Sequence, residues 1–443
     1  MLIRLVFVVA ETFGTWRSAR DWAGYAAQVA LTSFVVSVMC GLVETASGLG
    51  GDVGASLRSF TTPGVLAAAV CAAVVTGSSA RSAHAALRDG RTVWAASGVG
   101  RPLARVVVLA QTITVSSVST VLGLAGAHAA ITGVGTLVLG TTEIPLRFGA
   151  PTWVAASVIV GATLVPSAVD AIRRPVEAGP SRGHPSRTVA LSVAAMTWTG
   201  TAAWLALVPV SSVRALEQRI ALSIVSLALA VIVTSTVVNT LRSRIASALS
   251  RPDTVGTGLV WVLGLGSAAG ALRASTAALG PILASVSLTG GAVAVFTLGD
   301  IASARLTGAG ETSTVNVDSI LLTLTPVLLL AVGASIIASA TGDPRRRTAT
   351  RVLLAARVPL RTLVAAAALG AATSAVLAAS LSLAVVLAAC TPIVIAAGLD
   401  VRALVSAVCN PVEAGLLLLM GALLVIAAAV RTAAAGVHVP ARG

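Results

Sequence analysis

The chain has 443 residues, of which 56% are hydrophobic and 10% charged, and its mean hydropathy is +0.96. Soluble domains carry about 25% charged residues, so a water-soluble fold of this length has too little polar surface to cover so much apolar material. The net charge of +14 comes from 30 arginines and no lysine. These are dealt out between apolar runs rather than gathered on one polar domain, which fits membrane topology and argues against a nucleic-acid binder.

Many apolar windows reach the ~20 residues that cross a ~30 Å hydrocarbon core as an α-helix. None shows the alternation of a membrane β-barrel strand. The expected fold class is therefore an all-α polytopic membrane protein with about ten spans.

In chain order, residues 1–22 mix apolar side chains with Arg4, Glu11, Arg17 and Arg20. They read as a helix in the cytoplasmic interface rather than a signal peptide, because no small-residue cleavage pattern follows the apolar run. Span 1 covers 24–45. A loop with Asp52 and Arg58 leads to span 2 at 63–80, with Pro63 at its first position, where a missing N–H does little harm. Residues 81–111 form an arginine-rich stretch, RSAHAALRDGRTVWAASGVGRPLARVVVLAQ. Span 3 covers 106–131, a loop carries Glu143 and Arg147, and span 4 covers 153–172 with a kink expected at Pro166.

Residues 173–187, RRPVEAGPSRGHPSR, are the clearest linker in the chain. Span 5 (188–209), a loop with Arg214, Glu217 and Arg219, and span 6 (220–241) make a two-helix insert over 188–255. Residues 256–273 are apolar but short and glycine-rich. They read as an interfacial helix leading into the second half, with a further span as the alternative. Span 7 covers 276–298. A loop with Asp300, Arg305, Glu311 and Asp318 follows, and then span 8 at 319–340, kinked near Pro326. A second arginine-rich stretch, 343–368, reads DPRRRTATRVLLAARVPLRTLVAAAA. Span 9 (362–389), a loop with Asp400 and Arg402, and span 10 (411–430) complete the chain. The organisation is thus a first unit over 1–172, a linker over 173–187, the insert over 188–255 and a second unit over 256–443.

Ten spans put both termini on one side. That side then holds 24 arginines and 7 acidic residues, the other 6 arginines and 9 acidic residues, giving faces of +17 and −3. Eleven spans would put Arg345, Arg346 and Arg347 outside, against the positive-inside rule. Both termini and both arginine-rich stretches are therefore expected in the cytoplasm.

No polar stretch is long enough for a soluble catalytic domain, and a chain without lysine cannot carry a Walker phosphate loop. His84, His128, His184 and His438 are scattered. Cys40 and Cys71 fall in apolar runs as packing residues, whereas Cys390 and Cys409 flank an outer loop where they could pair. Glu44, Asp170 and Glu413 sit at span ends. They read as locally paired or reaching the interface, with an ion-coupling role as the alternative. Neither catalytic residues nor a metal site nor a cofactor is expected from this pattern.

The arginine stretches are the strongest functional feature. Their Pro-Leu pairs, Pro102-Leu103 and Pro359-Leu360, lie 257 residues apart (359 − 102). Each keeps apolar residues at helical spacing: Ala86, Leu87, Val93 and Trp94 in one, Val352, Leu353 and Leu354 in the other. A cytoplasmic helix with one apolar and one basic face fits a groove on a partner protein, with Trp94 as its anchor.

The segment from Trp94 to Arg101 (WAASGVGR), followed by Leu109-Ala110-Gln111, resembles the FtsX-like (MacB-type) permease family of ABC transporters. So does Val352 to Arg357 (VLLAAR), followed by 363–368, and so does Leu272-Arg273-Ala274-Ser275 before span 7. The resemblance covers nearly the whole chain as two four-helix units in the same orientation around the insert. It implies a non-catalytic permease of the bacterial cytoplasmic membrane whose ATP is bound by a separate ABC ATPase, in two copies. The ATPase would dock on coupling helices near 82–105 and 343–361. The coupling residues would be Arg88, Arg91, Trp94, Arg101 and Arg105 in the first, and Arg345, Arg346, Arg347, Arg351, Arg357 and Arg361 in the second. The large external domain of many family members has no room here. The resemblance then implies export or extraction of a hydrophobic, lipid or peptide substrate, or mechanotransmission. The rival reading is an ATP-independent ten-span secondary transporter, which would more often place a carboxylate at mid-span and use inverted repeats.

Overall fold

The computed structural model describes residues 19–49, 51–86, 94, 99–130, 147–173, 185–208, 213–249, 258–274, 279–307, 317–341, 344–409 and 411–437. In a hydrocarbon medium every backbone N–H and C=O must be paired within the segment, and the helix does this locally. The helices are α1 Ala19–Gly48, α2 Gly51–Ala86, α3 Arg101–Ala129, α4 Ala150–Arg173, α5 Pro185–Leu207, α6 Val213–Leu249, α7 Leu259–Ala274, α8 Leu279–Thr307, α9 Val317–Thr341, α10 Pro344–Ala355, α11 Leu360–Ala396, α12 Val401–Val408 and α13 Pro411–Val437. No strand occurs among the described residues.

Seven of these helices are long and apolar enough to cross a membrane: α1, α2, α3, α6, α8, α11 and α13. The chain is a multi-pass helical membrane protein. Its many serines and threonines remain compatible with burial because they bond back into their own helix. Ser33 donates to Val29 O at 2.8 Å, Ser37 to Ser33 O at 2.6 Å and Thr112 to Val108 O at 2.7 Å.

Each expected span overlaps a helix, and several of the helices run further than the apolar windows. Residues 51–62, expected as a loop, are the start of α2, and Pro63 lies inside the helix instead of opening it. Proline removes one N–H, and a membrane helix tolerates this when its neighbours re-satisfy the freed carbonyl. Arg214, Glu217 and Arg219 likewise belong to α6, and Asp300 and Arg305 to α8. Residues 256–273 yield α7, a 16-residue helix. At 1.5 Å per residue it is about 24 Å long, less than the ~30 Å of the hydrocarbon core. It packs along α11 and α6; a Cβ on Gly264 would stand 2.8 Å from Leu369, so the two helices meet almost backbone to backbone. The interfacial helix expected at 1–22 lies outside the described residues except for its last turn, which opens α1. The linker 173–187 lies largely outside them as well.

Packing has a pattern. In the first four helices α1 packs on α2, α3 and α4, and α4 packs on α2 and α3. In the second half α8 packs on α9, α11 and α13, and α13 packs on α9 and α11. The two sets of pairings are the same when α1, α2, α3 and α4 are matched to α8, α9, α11 and α13. The halves meet through α1 on α9, α2 on α8 and α2 on α9, which the same matching exchanges among themselves. The insert α5–α6 breaks the symmetry: α6 packs on α8, α11 and α2, and α5 on α11. The main apolar cluster draws Val36 and Met39 from α1, Ala68 and Cys71 from α2, Leu227 from α6, Ala284 from α8 and Leu330 from α9. α8 is the most enclosed span, with 89% of its apolar window buried, and α13 the least, with 11%.

Cys390 is buried and Cys409 exposed, and no disulfide joins them, so the pairing that the outer loop would have allowed is not made. Cys390 is taken up into α11, where it packs against Val386 and Ile393.

Candidate functional site

The second arginine-rich stretch folds as a separate helix. α10 carries Arg345, Arg346, Arg347 and Arg351 with no acidic residue, and it packs on α13. It stops in a turn that closes both last carbonyls. Arg357 N–H donates to Leu354 O at 3.0 Å and Val358 N–H to Leu353 O at 3.0 Å. This is the Schellman arrangement, which needs a left-handed residue between helix and exit. Arg357 supplies it at φ 60°. Pro359 then stands at the N-cap of α11.

The first stretch ends in the same hydrogen bond. Val99 N–H donates to Trp94 O at 3.0 Å, and Gly100 stands at the N-cap of α3. Trp94 is helical and half-buried. The interval between the two turns is 259 residues (353 − 94 = 358 − 99). The Pro-Leu spacing of 257 is thus two residues short of the structural register. The prolines differ in role: Pro359 is an N-cap, whereas Pro102 lies in the first turn of α3. In the structural register the residue matching Arg357 is Gly98, the residue type that a left-handed position favours. The matching apolar pairs at the turn, Trp94 with Val99 and Leu353 with Val358, are all half-buried.

Of the remaining coupling residues expected from sequence, Arg88 and Arg91 lie outside the described residues. Arg101 is the first residue of α3 and Arg105 is exposed one turn later. Arg357 and Arg361 are both exposed. The structure therefore brings Arg357 and Arg361 to one turn, and Arg101 and Arg105 to its counterpart.

Several polar contacts escaped the sequence reading. Thr152 and Gly149 of the α4 N-terminus donate to Glu44 of α1, which accounts for that carboxylate as a cap on a neighbouring helix. Arg219, 5% exposed, donates to Leu205 O and Val208 O at the end of α5, and its guanidinium lies 4.8 Å from the centre of the Trp204 ring. It closes the insert hairpin by satisfying carbonyls that a helix C-terminus leaves open. Arg305 of α8 does the same for Gly398 O beyond α11. At the same end of the fold as Glu44, His128, Phe148 and Trp153 form an edge-packed cluster with centroids 5.7 to 6.1 Å apart. The spacing of aromatics and span-end charges would have marked this girdle as an interface feature. Among the described residues no three His, Cys, Asp or Glu side chains come together as a metal site.

No family model, no curated protein and no solved structure matches this chain. The class the fold defines is a multi-pass membrane protein of apolar helices, with a basic helix, α10, set off from its spans.

Proposed function

We propose that the chain is the membrane permease subunit of an ABC transporter of the FtsX-like type, built as ten spans in two four-helix units around a two-helix insert. The observation that carries this reading is the pair of matched turns, Trp94–Val99 and Leu353–Val358, each delivering the chain into a long span, α3 or α11. The recurrence of the same five helix pairings in each half supports the two-unit repeat. A repeated, arginine-bearing helix end is a mechanical part: a lever tip, joined to a membrane helix by one hydrogen-bonded turn, that a partner can push.

In this reading both tips face the cytoplasm of a bacterial cell and each meets one subunit of an ATPase dimer, which binds the nucleotide. Closing the dimer on ATP draws the tips together and moves α3 and α11 against α1 and α8. The substrate is hydrophobic, lipidic or peptidic, exported or extracted from the membrane, or the movement itself is the signal.

The test is charge reversal at one residue of each tip, Arg101→Glu with Arg357→Glu. It is expected to abolish substrate-stimulated ATP hydrolysis while the spans stay folded. Arg357→Gly serves as the control for the left-handed turn, since it removes the charge but keeps the backbone conformation. Unchanged stimulation in the double reversal contradicts the reading.

A further inference from the structure

The insert helices α5 and α6 meet the second unit along α11, and the three helices pack on one another. Arg219 of α6 donates to Leu205 O and Val208 O of α5, which fixes how the two insert helices face each other. On α6 the positions 219, 223 and 226 share one face, at spacings of four and seven. On α5 Trp198 stands seven residues before Leu205 and so on the same face, two turns further from the hairpin end. Ser223 and Ser226, one and two turns from Arg219, are thus brought opposite Trp198.

These three side chains share a need. Ser223 Oγ, Ser226 Oγ and Trp198 Nε1 are buried without a hydrogen-bond partner among the described residues. Both serines are 0% exposed. Elsewhere in the chain buried hydroxyls bond back to a carbonyl one turn earlier, as those of Ser33, Ser37 and Thr112 do. The indole N–H can only donate, so its acceptor has to come from another group.

α11 supplies the complement. Pro392 lies inside this helix and has no N–H for the carbonyl of Ala388, four residues earlier. Helix carbonyls point toward the C-terminus, so this one opens beside the proline ring. Pro392 is buried and shares a face with Val385 and Ala389. Those two belong to the apolar cluster against which Trp198 packs. In the register of the matched turns Ala388 corresponds to Ala129, the last residue of α3 (388 − 129 = 259), so α11 carries on through a proline where α3 stops.

We infer that the α5–α6–α11 junction is a binding site for one ordered water molecule, which accepts from the Trp198 indole and donates to Ala388 O, with the Ser223 and Ser226 hydroxyls as its other partners. Charge and size decide the occupant. Neither α5 nor α11 carries an acidic residue, and the Arg219 guanidinium is committed to the α5 carbonyls. The junction therefore matches neither a cation nor an anion. Groups as enclosed as the two serines suit a molecule of one heavy atom rather than a lipid headgroup. A buried water makes about three hydrogen bonds to groups that would otherwise go unsatisfied, and it can join a donor-only indole to an acceptor-only carbonyl. The insert would so hold α11 at its proline through a polar joint. The inference needs neither the ATPase nor a particular orientation of the spans.

Radiolytic footprinting of the full chain in lipid nanodiscs, read by peptide mass spectrometry, tests it, because hydroxyl radical formed from a bound water oxidises the side chain beside it. Trp198 is expected to be oxidised several-fold faster than Met196, which is 65% exposed on the same helix. Pro392→Ala returns an N–H to Ala388 O, and the pair Ser223→Ala and Ser226→Ala removes both hydroxyls. Each change should lower the Trp198 rate several-fold and leave Met196 unaltered. Equal rates at Trp198 and Met196 in the parent chain would overturn the assignment, and this comparison requires no variant to fold. A Trp198 rate that Pro392→Ala does not move, or that the serine pair does not move, would overturn it as well, since the water would then not join α11 to the insert.

Discussion

Thr152 of α4 donates both its backbone N–H, at 3.2 Å, and its hydroxyl to one oxygen of Glu44 on α1, and Gly149 N–H adds a third bond at 3.0 Å. Pro151 lacks an N–H, and this carboxylate takes the backbone donors of Gly149 and Thr152 on either side of it. A negative charge at that position also suits the helix dipole. Glu44→Ala is expected to cost about 1–2 kcal/mol, the usual range for a lost cap. Glu44→Gln, which keeps an acceptor, should cost about half of that. Thermal unfolding of the detergent-solubilised chain reads the order: Ala lower than Gln, and Gln lower than the parent.

The α1–α3 crossing depends on Gly123. A Cβ there would sit 2.7 Å from Ser33 Cβ and closer still to Ala30 O, whereas on Gly126, one turn on, the nearest atom is 3.7 Å away. Gly123→Ala should therefore destabilise by about 1–3 kcal/mol through forced separation of the helices. Gly126→Ala should be near neutral. Size-exclusion profiles after a heat step separate the two.

Arg219 satisfies two carbonyls at the end of α5 and stacks on Trp204. Replacing it with leucine leaves those carbonyls open in a buried site, a loss of about 1.5–3 kcal/mol. Lysine recovers only part, because it lacks the planar fork that reaches both oxygens. Limited proteolysis between α5 and α6 is expected to accelerate in the order parent, Lys, Leu.

Arg357 holds a left-handed conformation at φ 60°. A non-glycine residue there costs on the order of 1 kcal/mol, so Arg357→Gly should raise thermal stability even as it removes a docking charge. Stability and coupling moving in opposite directions would set this residue apart from the structural arginines 219 and 305.

Cys409 is exposed while Cys40, Cys71 and Cys390 are buried. A maleimide should modify Cys409 alone in the folded chain, as read by intact-mass spectrometry. In the proposed orientation, with both termini inside, a membrane-impermeant maleimide should reach Cys409 from outside intact cells. Labelling only after permeabilisation would contradict the ten-span orientation.

The sequence carried the approximate positions of the apolar helices because burial in lipid is a local, compositional property: 24–45 and 63–80 lie within helices, and the other apolar windows overlap one. It did not carry the helix ends. Arg214, Glu217 and Arg305 look like loop residues by charge, yet each lies in a helix that projects past its apolar window. The arginine stretches stood out for their charge, but the register between them did not, because the turn is defined by backbone hydrogen bonds. Gly98 at the position of Arg357 was the available clue; the Pro-Leu pairs outcompeted it. Contacts such as Glu44 with Thr152 join residues more than a hundred positions apart, and no periodicity encodes them.

The central claim is that two arginine-bearing helix ends dock a separate ATPase. Purification of the tagged chain from its native membrane in mild detergent, with mass spectrometry of what accompanies it, tests this most directly. The account predicts a stoichiometric ABC ATPase, two copies per chain, which is lost when Arg345, Arg346 and Arg347 are replaced by glutamate. Recovery of the chain alone in several detergents, with no nucleotide-binding protein, would contradict it and favour a transporter that works without ATP.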